Sequence, residues 1–140
     1  MTERAQTLLA FDYGEKHIGV AVGQTLTGTA NPLETVRVTS ASPDWNAISR
    51  IVKTWQPGAL VVGLPLNMDG SEQGVTRRAR RFGNQLVGRY RLPVHLVDER
   101  LTTREARDRL VSTGRSGSDD HPVAAQIILE SWLNEQKPSA

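Results

Sequence analysis

Two acidic positions follow apolar runs that are far apart in the chain. Residues 8–11 are apolar and lead directly into Asp12, and the mostly apolar residues 94–97 lead into Asp98 and Glu99. Each run has the length of a buried strand, and its acid lies where the strand leaves the core. A carboxylate at such a place is desolvated and needs a partner or a metal ion. We expect the two strand ends to lie side by side and to hold divalent metal for phosphodiester hydrolysis.

The proposed chemistry explains why carboxylates are required. Hydrolysis of a phosphodiester needs an activated water and positive charge beside the scissile phosphate and the leaving oxygen. Two divalent ions about 3.5–4 Å apart can supply both. Mg²⁺ prefers oxygen ligands and keeps several waters, so that a few carboxylates and the substrate phosphate suffice. A structural interpretation is the alternative, in which Asp12 only caps a turn and Glu99 pairs with Arg100. The residues by themselves admit both.

The composition limits the classes of protein that fit the sequence. Its 140 residues are 38% hydrophobic and 23% charged, as in ordinary globular proteins, and we expect one domain over residues 1–140 with a frayed tail over 134–140. The absence of cysteine excludes disulfides, thiolate zinc sites and cysteine nucleophiles, and suits the cytoplasm. Residues 1–7 show no signal peptide, and no apolar run could span a membrane. The net charge is only +2, so any nucleic-acid surface must come from local clusters.

The order of the apolar segments predicts an α/β fold. A hairpin and a third, antiparallel strand come first, at residues 8–12, 17–23 and 28–38. Residues 59–63 are apolar without alternation, which is typical of an interior strand that is covered on both faces. Because helices and strands alternate after residue 42, we expect a mixed five-stranded sheet, with three antiparallel strands followed by parallel strands and helices on both faces.

The first helix is predicted from its beginning and from its apolar stripe. Ser42 is a suitable cap, and Pro43 suits the first helical position. Four apolar residues then recur at helical spacing and are expected to face the sheet: Trp45, Ile48, Val52 and Trp55.

Four motifs, in this order, together point to one family. They cover residues 11–14 with 18–23 (FDYG and IGVAVG), 62–70 (VGLPLNMDG), 98–103 (DERLTT) and 125–131 (AQIILES). This combination resembles the YqgF/RuvX family, whose members are described as pre-16S ribosomal RNA nucleases and as Holliday-junction-resolvase-like proteins. The resemblance covers nearly the whole chain. It implies a ribonuclease-H-like fold, a cytoplasmic location and a divalent-metal site for Mg²⁺ or Mn²⁺.

The resemblance also implies which residues form the site. Asp12 and Glu99 correspond to two of the family's metal ligands, and a third acid is expected at the beginning of the last helix. This chain has His121 at that position, preceded by Asp119 and Asp120. Either Asp120 supplies the ligand after a shift of one residue, or His121 itself binds the metal. Imidazole is a poorer ligand for Mg²⁺ than for Mn²⁺, so the metal preference depends on this choice. The two aspartates could instead only cap the helix.

Basic residues are the candidates for binding nucleic acid. Arginine matches the geometry of phosphate oxygens, although a run of charges is also typical of a solvated helix face. The chain has only two Phe and two Tyr, which favours recognition of structured nucleic acid by its shape over stacking on single-stranded bases. The candidates are Lys16, Arg77, Arg78, Arg80, Arg81, Arg100 and Arg104.

Three functions fit these observations. The first is a metal-dependent endonuclease that processes the 5′ end of precursor 16S ribosomal RNA, or in a close variant cleaves branched DNA, as a monomer or homodimer. The second is an actin-like nucleotide-binding module, because Asp12 and Gly14 resemble the phosphate loop of that class; such proteins use two domains, and 140 residues supply one. The third is a non-catalytic protein that binds RNA or the ribosome, suggested by the missing acid at position 121.

Overall fold

A mixed sheet with helices on both faces forms the architecture. The computed structural model describes residues 5–99 and 121–136. Within them the elements are β1 (Thr7–Tyr13), β2 (His17–Gln24), β3 (Thr29–Thr39), β4 (Ser42–Pro43), α1 (Trp45–Trp55), β5 (Ala59–Leu64), α2 (Gly74–Tyr90), β6 (Val94–Asp98) and α3 (His121–Glu135).

The sheet has the strand order β4-β3-β2-β1-β5-β6. Strands β1 to β4 pair antiparallel, whereas β1, β5 and β6 are parallel. Five of the six strands correspond to the predicted ones, and β4 adds a two-residue strand at the edge. The predicted α/β fold, a mixed sheet covered on both faces, is therefore confirmed.

The side chains of β1 alternate between the two faces of the sheet, and each face has its own hydrophobic core. Leu9 and Phe11 point to one face, where they belong to the cluster that contains the buried residues of α1 and α2. Leu8 and Ala10 point to the other face and pack with α3. Asp12 follows Leu8 and Ala10 at the same two-residue spacing, so its side chain is directed to the face that α3 covers.

The first helix differs from its prediction at both ends. The cap is Asp44, whose carboxylate accepts a hydrogen bond from the amide of Ala47 at 3.2 Å. Ser42 and Pro43 are instead paired with β3 as β4, which places them before the helix. Trp55 is 38% exposed because it is the last residue of α1, while the buried stripe runs through residues 48 and 51.

Among residues 5–99 and 121–136, no helix has the length and apolar character needed to cross a bilayer.

Candidate metal centre and nucleic-acid interface

The two acids predicted from the sequence lie together at one edge of the sheet. Strands β1, β5 and β6 are parallel neighbours, with Asp12 opposite Gly63 and Leu64 opposite Asp98. Glu99 follows β6 directly and therefore emerges at the same edge of the sheet as the end of β1, with β5 between them. The side chains of Asp12 and Glu99 are joined by a hydrogen bond. Residues from opposite halves of the chain thus form one carboxyl pair.

The environment of this pair disfavours two negative charges. Burial raises the pKa of Glu99 well above its ordinary value of 4.5, and the hydrogen bond that protonated Glu99 donates to Asp12 raises it further, as do the charges of Asp12 and Asp98. Two carboxyl groups in contact at a desolvated position need either a shared proton or a cation. Their oxygen donors suit a divalent cation such as Mg²⁺ or Mn²⁺. The residues present therefore fit the metal that the sequence suggested.

Gly63 makes room for Glu99. A Cβ atom at this position would lie 2.7 Å from Oε1 of Glu99 and 2.6 Å from Cδ1 of Ile128 on α3. Both distances are shorter than real Cβ contacts, so that a side chain at position 63 would have to displace the side chains of Glu99 and Ile128. The glycine thus permits the approach of Glu99 to Asp12 across β5.

Gly19 makes room for the beginning of α3 on the other side of Asp12. It pairs with Asp12 in the antiparallel register of β1 and β2. A Cβ atom here would collide with the backbone carbonyl of His121, and it would lie 2.9 Å from the amide nitrogen of Pro122. Glycines therefore flank the aspartate on both neighbouring strands, and α3 begins beside the site.

His121, one of the two candidates for the third metal ligand, contacts a histidine of β2. The ring of His121 stacks on the ring of His17, with centroids 5.0 Å apart and an angle of 20° between the planes. Within the described part of the chain, no group of three His, Cys, Asp or Glu side chains is arranged to hold a metal ion. Asp120, the other predicted third ligand, lies outside the described residues, as does Asp119.

The four arginines in the first two turns of α2 divide into two pairs by their contacts. Arg78 forms an ion pair with Glu15, and Arg80 forms one with Glu72 at 3.1 Å. Arg77 and Arg81 are exposed, and no ion pair connects either to another residue of the described ranges. They are four residues apart and so lie on one face of the first two turns. Lys16 is exposed in the turn after β1, whereas Arg100 and Arg104 lie outside the described residues.

Comparisons with known proteins identify the family. The model of the RuvX family, described as Holliday junction resolvase, matches residues 6–135. The chain belongs to the RuvX family. The predicted resemblance is confirmed.

Other members of the RuvX family are similar along nearly their whole length. A protein from Aeromonas hydrophila is 53% identical over 137 residues, covering 94% of this chain and 97% of its own. One from Saccharophagus degradans is 50% identical over 139 residues, covering 96% and 98%. One from Escherichia coli O7:K1 is 52% identical over 134 residues, covering 92% and 96%. All three carry the name "Putative pre-16S rRNA nuclease".

Solved structures of resolvases share the fold of this RuvX-family chain. Thermus thermophilus RuvC, determined with a Holliday junction substrate, superposes with a TM-score of 0.57 at 16% identity, over 93% of this chain and 94% of RuvC. Fowlpox virus resolvase, determined with Holliday junction DNA, superposes with a TM-score of 0.59 at 10% identity, over 94% and 99%. At these identities the likeness shows the fold, and the predicted ribonuclease-H-like architecture is confirmed.

Proposed function

We propose that this chain is a divalent-metal-dependent endonuclease that hydrolyses phosphodiester bonds in structured nucleic acid and processes the 5′ end of precursor 16S ribosomal RNA in the cytoplasm. The contact between Asp12 and Glu99 carries the proposal, because a carboxyl pair at this sheet edge needs a shared proton or a cation, and its oxygen donors suit a divalent cation. The names of relatives that are about half identical support the nuclease activity and the choice of RNA.

Each part of the site has a distinct task. Asp12 and Glu99 would hold Mg²⁺ or Mn²⁺, which supplies positive charge to the phosphate and lowers the pKa of a water. The backbone of Asp12 is held in the sheet between Gly19 and Gly63, which fixes the point from which its side chain extends. Glu99 gives up its proton when a cation replaces it. Asp120 or His121 would complete the ligand set, as the sequence predicts.

Branched DNA is the second candidate substrate. The description of the family model, Holliday junction resolvase, favours it. Both substrates present bent or branched backbones with closely spaced phosphates, so the same carboxyl pair and the same arginines serve either one. The two candidate substrates differ in how their nucleic-acid strands are arranged around the phosphate that would reach Asp12 and Glu99.

A cleavage assay on matched substrates tests the proposed function. The purified protein is incubated with Mg²⁺ or Mn²⁺ and either a 5′ fragment of precursor 16S ribosomal RNA, a four-way DNA junction or an unstructured RNA of the same composition. We expect metal-dependent cleavage of the precursor fragment, slower cleavage of the junction, and no cleavage in EDTA. If the wild-type protein cuts neither structured substrate with either metal, the endonuclease proposal is wrong.

Arg77 and Arg81 are expected to bind phosphates of the substrate. Their double replacement by alanine should weaken binding at low salt and reduce the slope of log Kd against log salt concentration by about one to two units, because each phosphate contact releases about one counterion. Fluorescence anisotropy at several salt concentrations, in the presence of Ca²⁺ in place of Mg²⁺, measures this slope.

Lys53→Ala provides the matched control for this experiment. Lys53 is equally exposed but lies in the last turn of α1, which leads into the opposite end of the sheet. The control should leave the slope unchanged. A loss in Lys53→Ala half as large as in the double variant, in proportion to the charge removed, would mean that binding follows net charge alone and that Arg77 and Arg81 do not contact phosphates.

A further inference from the structure

A polar cavity lies on the α2 side of the sheet, at the end of β1. Its volume is about 280 Å³, and it is lined by Tyr13, Glu15, Ala41 and Arg78. These residues belong to the end of β1, the turn after it, the turn between β3 and β4, and the second turn of α2. Tyr13 directly follows Asp12, and consecutive side chains of a strand point to opposite faces. The cavity and the carboxyl pair therefore share one edge of the sheet, on its two sides.

The walls of this cavity are held by the backbone of the sheet. The amide of Val38 donates to the carbonyl of Lys16 at 2.9 Å, which ties the turn after β1 to β3. Ser40 and Ala41 form the two-residue turn between β3 and β4, and their φ angles are positive, at 51° and 62°. Hairpin turns of type I′ require positive φ at both central positions. The cavity is thus preformed, and Ala41 presents only a methyl group to it.

Tyr13 contributes a hydroxyl group to the cavity. The residue is 6% exposed, and its ring packs on Phe82 with centroids 5.2 Å apart. Its hydroxyl forms no hydrogen bond with another residue of the ranges 5–99 and 121–136. Every fully enclosed side-chain oxygen among these residues has a partner, so the hydroxyl must keep some exposure, which the cavity provides. Burial raises the pKa of Tyr13 above its ordinary value of 10.0, against the charges of Arg78 and Arg81. The protonated hydroxyl can therefore donate to a ligand.

Arg78 is the cation of the cavity, and a carboxylate of the same chain is bound to it. Its Nη2 forms an ion pair with Oε1 of Glu15. The two side chains are 42% and 64% exposed. An ion pair this exposed contributes little to stability, because water screens both charges. A phosphate group matches the fork of a guanidinium as well as a carboxylate does. It can therefore replace Glu15 on Arg78 at little cost.

We propose that this cavity binds a backbone phosphate of the nucleic-acid substrate and that the Glu15 carboxylate occupies the place of this phosphate in the free protein, an inference that rests on the proposed nuclease function. The bound phosphate accepts a hydrogen bond from Tyr13 and pairs with Arg78, which Glu15 releases. Arg81 is three residues further along α2 and adds positive charge beside Arg78. Because Glu15 and the phosphate compete for one guanidinium, the ion pair lowers the affinity for substrate.

Removal of the competing carboxylate tests the exchange. Fluorescence anisotropy in Ca²⁺ gives the Kd of the precursor ribosomal RNA fragment and, in a second arm, of a four-way DNA junction. We expect Glu15→Gln to bind its preferred substrate about threefold to fivefold more tightly than the wild-type protein, the upper part of the range for exposed ion pairs. The gain should vanish when Glu15→Gln is combined with Arg78→Gln, because the carboxylate acts only through this guanidinium.

Glu34→Gln is the matched control for charge. It removes the same charge from another exposed ion pair, that of Glu34 with Arg50, and neither of these residues lines the cavity. The Kd of this variant should equal that of the wild-type protein. Equal gains in Glu15→Gln and Glu34→Gln on both arms would overturn the exchange, as would a gain that persists without Arg78.

Tyr13→Phe tests the other group that holds the phosphate. It removes only the hydroxyl and keeps the ring packing on Phe82, so that the variant folds. We expect a loss of about fivefold to tenfold in affinity, as for a hydrogen bond to a charged group. The slope of log Kd against log salt concentration should stay the same, whereas Arg78→Gln should reduce it by about one unit. Tyr90→Phe removes a hydroxyl that is bonded to Ser49 and should change neither quantity. An unchanged Kd in Tyr13→Phe would overturn the site.

Two further measurements separate the possible failures. Inorganic phosphate, added at constant ionic strength, should not remove the gain of Glu15→Gln; its removal would mean that the cavity takes free phosphate and not the nucleic-acid backbone. Cleavage in Mg²⁺ or Mn²⁺ is then measured with the same proteins. If the wild-type protein cleaves but no variant of the cavity changes binding, only the phosphate site is wrong. If the wild-type protein does not cleave and the binding effects are as expected, the phosphate site holds and the nuclease proposal fails.

Discussion

Asp12→Asn should abolish metal-dependent cleavage and, at the same time, stabilise the metal-free protein at neutral pH. The loss of activity follows because the cation would lose one of its two proposed carboxylate ligands; we expect a decrease of at least about 1,000-fold, equivalent to about 4 kcal/mol in the activation barrier. The gain in stability follows because the asparagine removes a negative charge in contact with Glu99 and can donate a hydrogen bond to its carboxylate.

The pH dependence of stability has a defined sign. The pKa of Glu99 is raised in the folded protein, so that the folded state keeps a proton that the unfolded chain has lost above its ordinary pKa of 4.5. The free energy of unfolding of the metal-free wild-type protein should therefore be highest below this value and should fall as the pH rises through neutrality. In Asp12→Asn the fall should be smaller. It should not vanish, because burial is the largest cause of the shift.

Urea unfolding in EDTA between pH 5 and pH 9 measures these effects. Asp44→Asn is the matched control, because it removes the same charge at an exposed helix cap where asparagine caps as well as aspartate. This control should leave both activity and pH dependence unchanged. Addition of Mn²⁺ should stabilise the wild-type protein and should not stabilise Asp12→Asn. A variant at position 12 that retains cleavage, or that loses stability equally at all pH values, would contradict the assignment of the pair.

Gly63→Ala should weaken Mn²⁺ binding by at least about tenfold and reduce cleavage accordingly. The added methyl group would lie 2.7 Å from Oε1 of Glu99 and would push the carboxylate away from Asp12. A loss of this size is typical when a group that orients a metal ligand is disturbed. Isothermal titration with Mn²⁺ gives the affinity, and circular dichroism shows whether the variant folds.

Two further variants identify the cause of the effect at Gly63. Gly88→Ala adds the same methyl group at a position on α2 with no atom within 4 Å, and it should leave metal binding unchanged. Ile128→Val removes Cδ1, the second atom that the new methyl group would meet. Combined with Gly63→Ala, it should restore stability but not Mn²⁺ affinity. If the double variant regains both, the glycine serves helix packing and does not position Glu99.

The parts of the structure that depend on local pattern could be predicted from the sequence. The apolar runs predicted the five main strands, and the helical spacing of Trp45, Ile48 and Val52 predicted the first helix. Asp12 and Glu99 were accessible to prediction because each follows an apolar run, and parallel neighbouring strands end at the same edge. These signals lie within a few residues of each position.

Features that depend on distant residues could not be predicted. The requirement for glycine at position 63 arises from Glu99 and Ile128, which reach it from a different strand end and from α3. The stacking of His17 on His121 likewise joins the second strand to the last helix, and no local pattern around either residue indicates this contact. At the start of α1, Ser42 and Asp44 both suit a cap, and pairing of Ser42 with β3 decides between them.

Anomalous diffraction at the manganese edge, from crystals of the full chain soaked in Mn²⁺, tests the metal centre most directly. We expect at least one Mn²⁺ in contact with carboxylate oxygens of both Asp12 and Glu99, with Asp120 or His121 visible as the further ligand, and no such ion in crystals of Asp12→Asn. Manganese found only elsewhere on the wild-type protein, with the two carboxyl groups still joined by their hydrogen bond, would contradict the site.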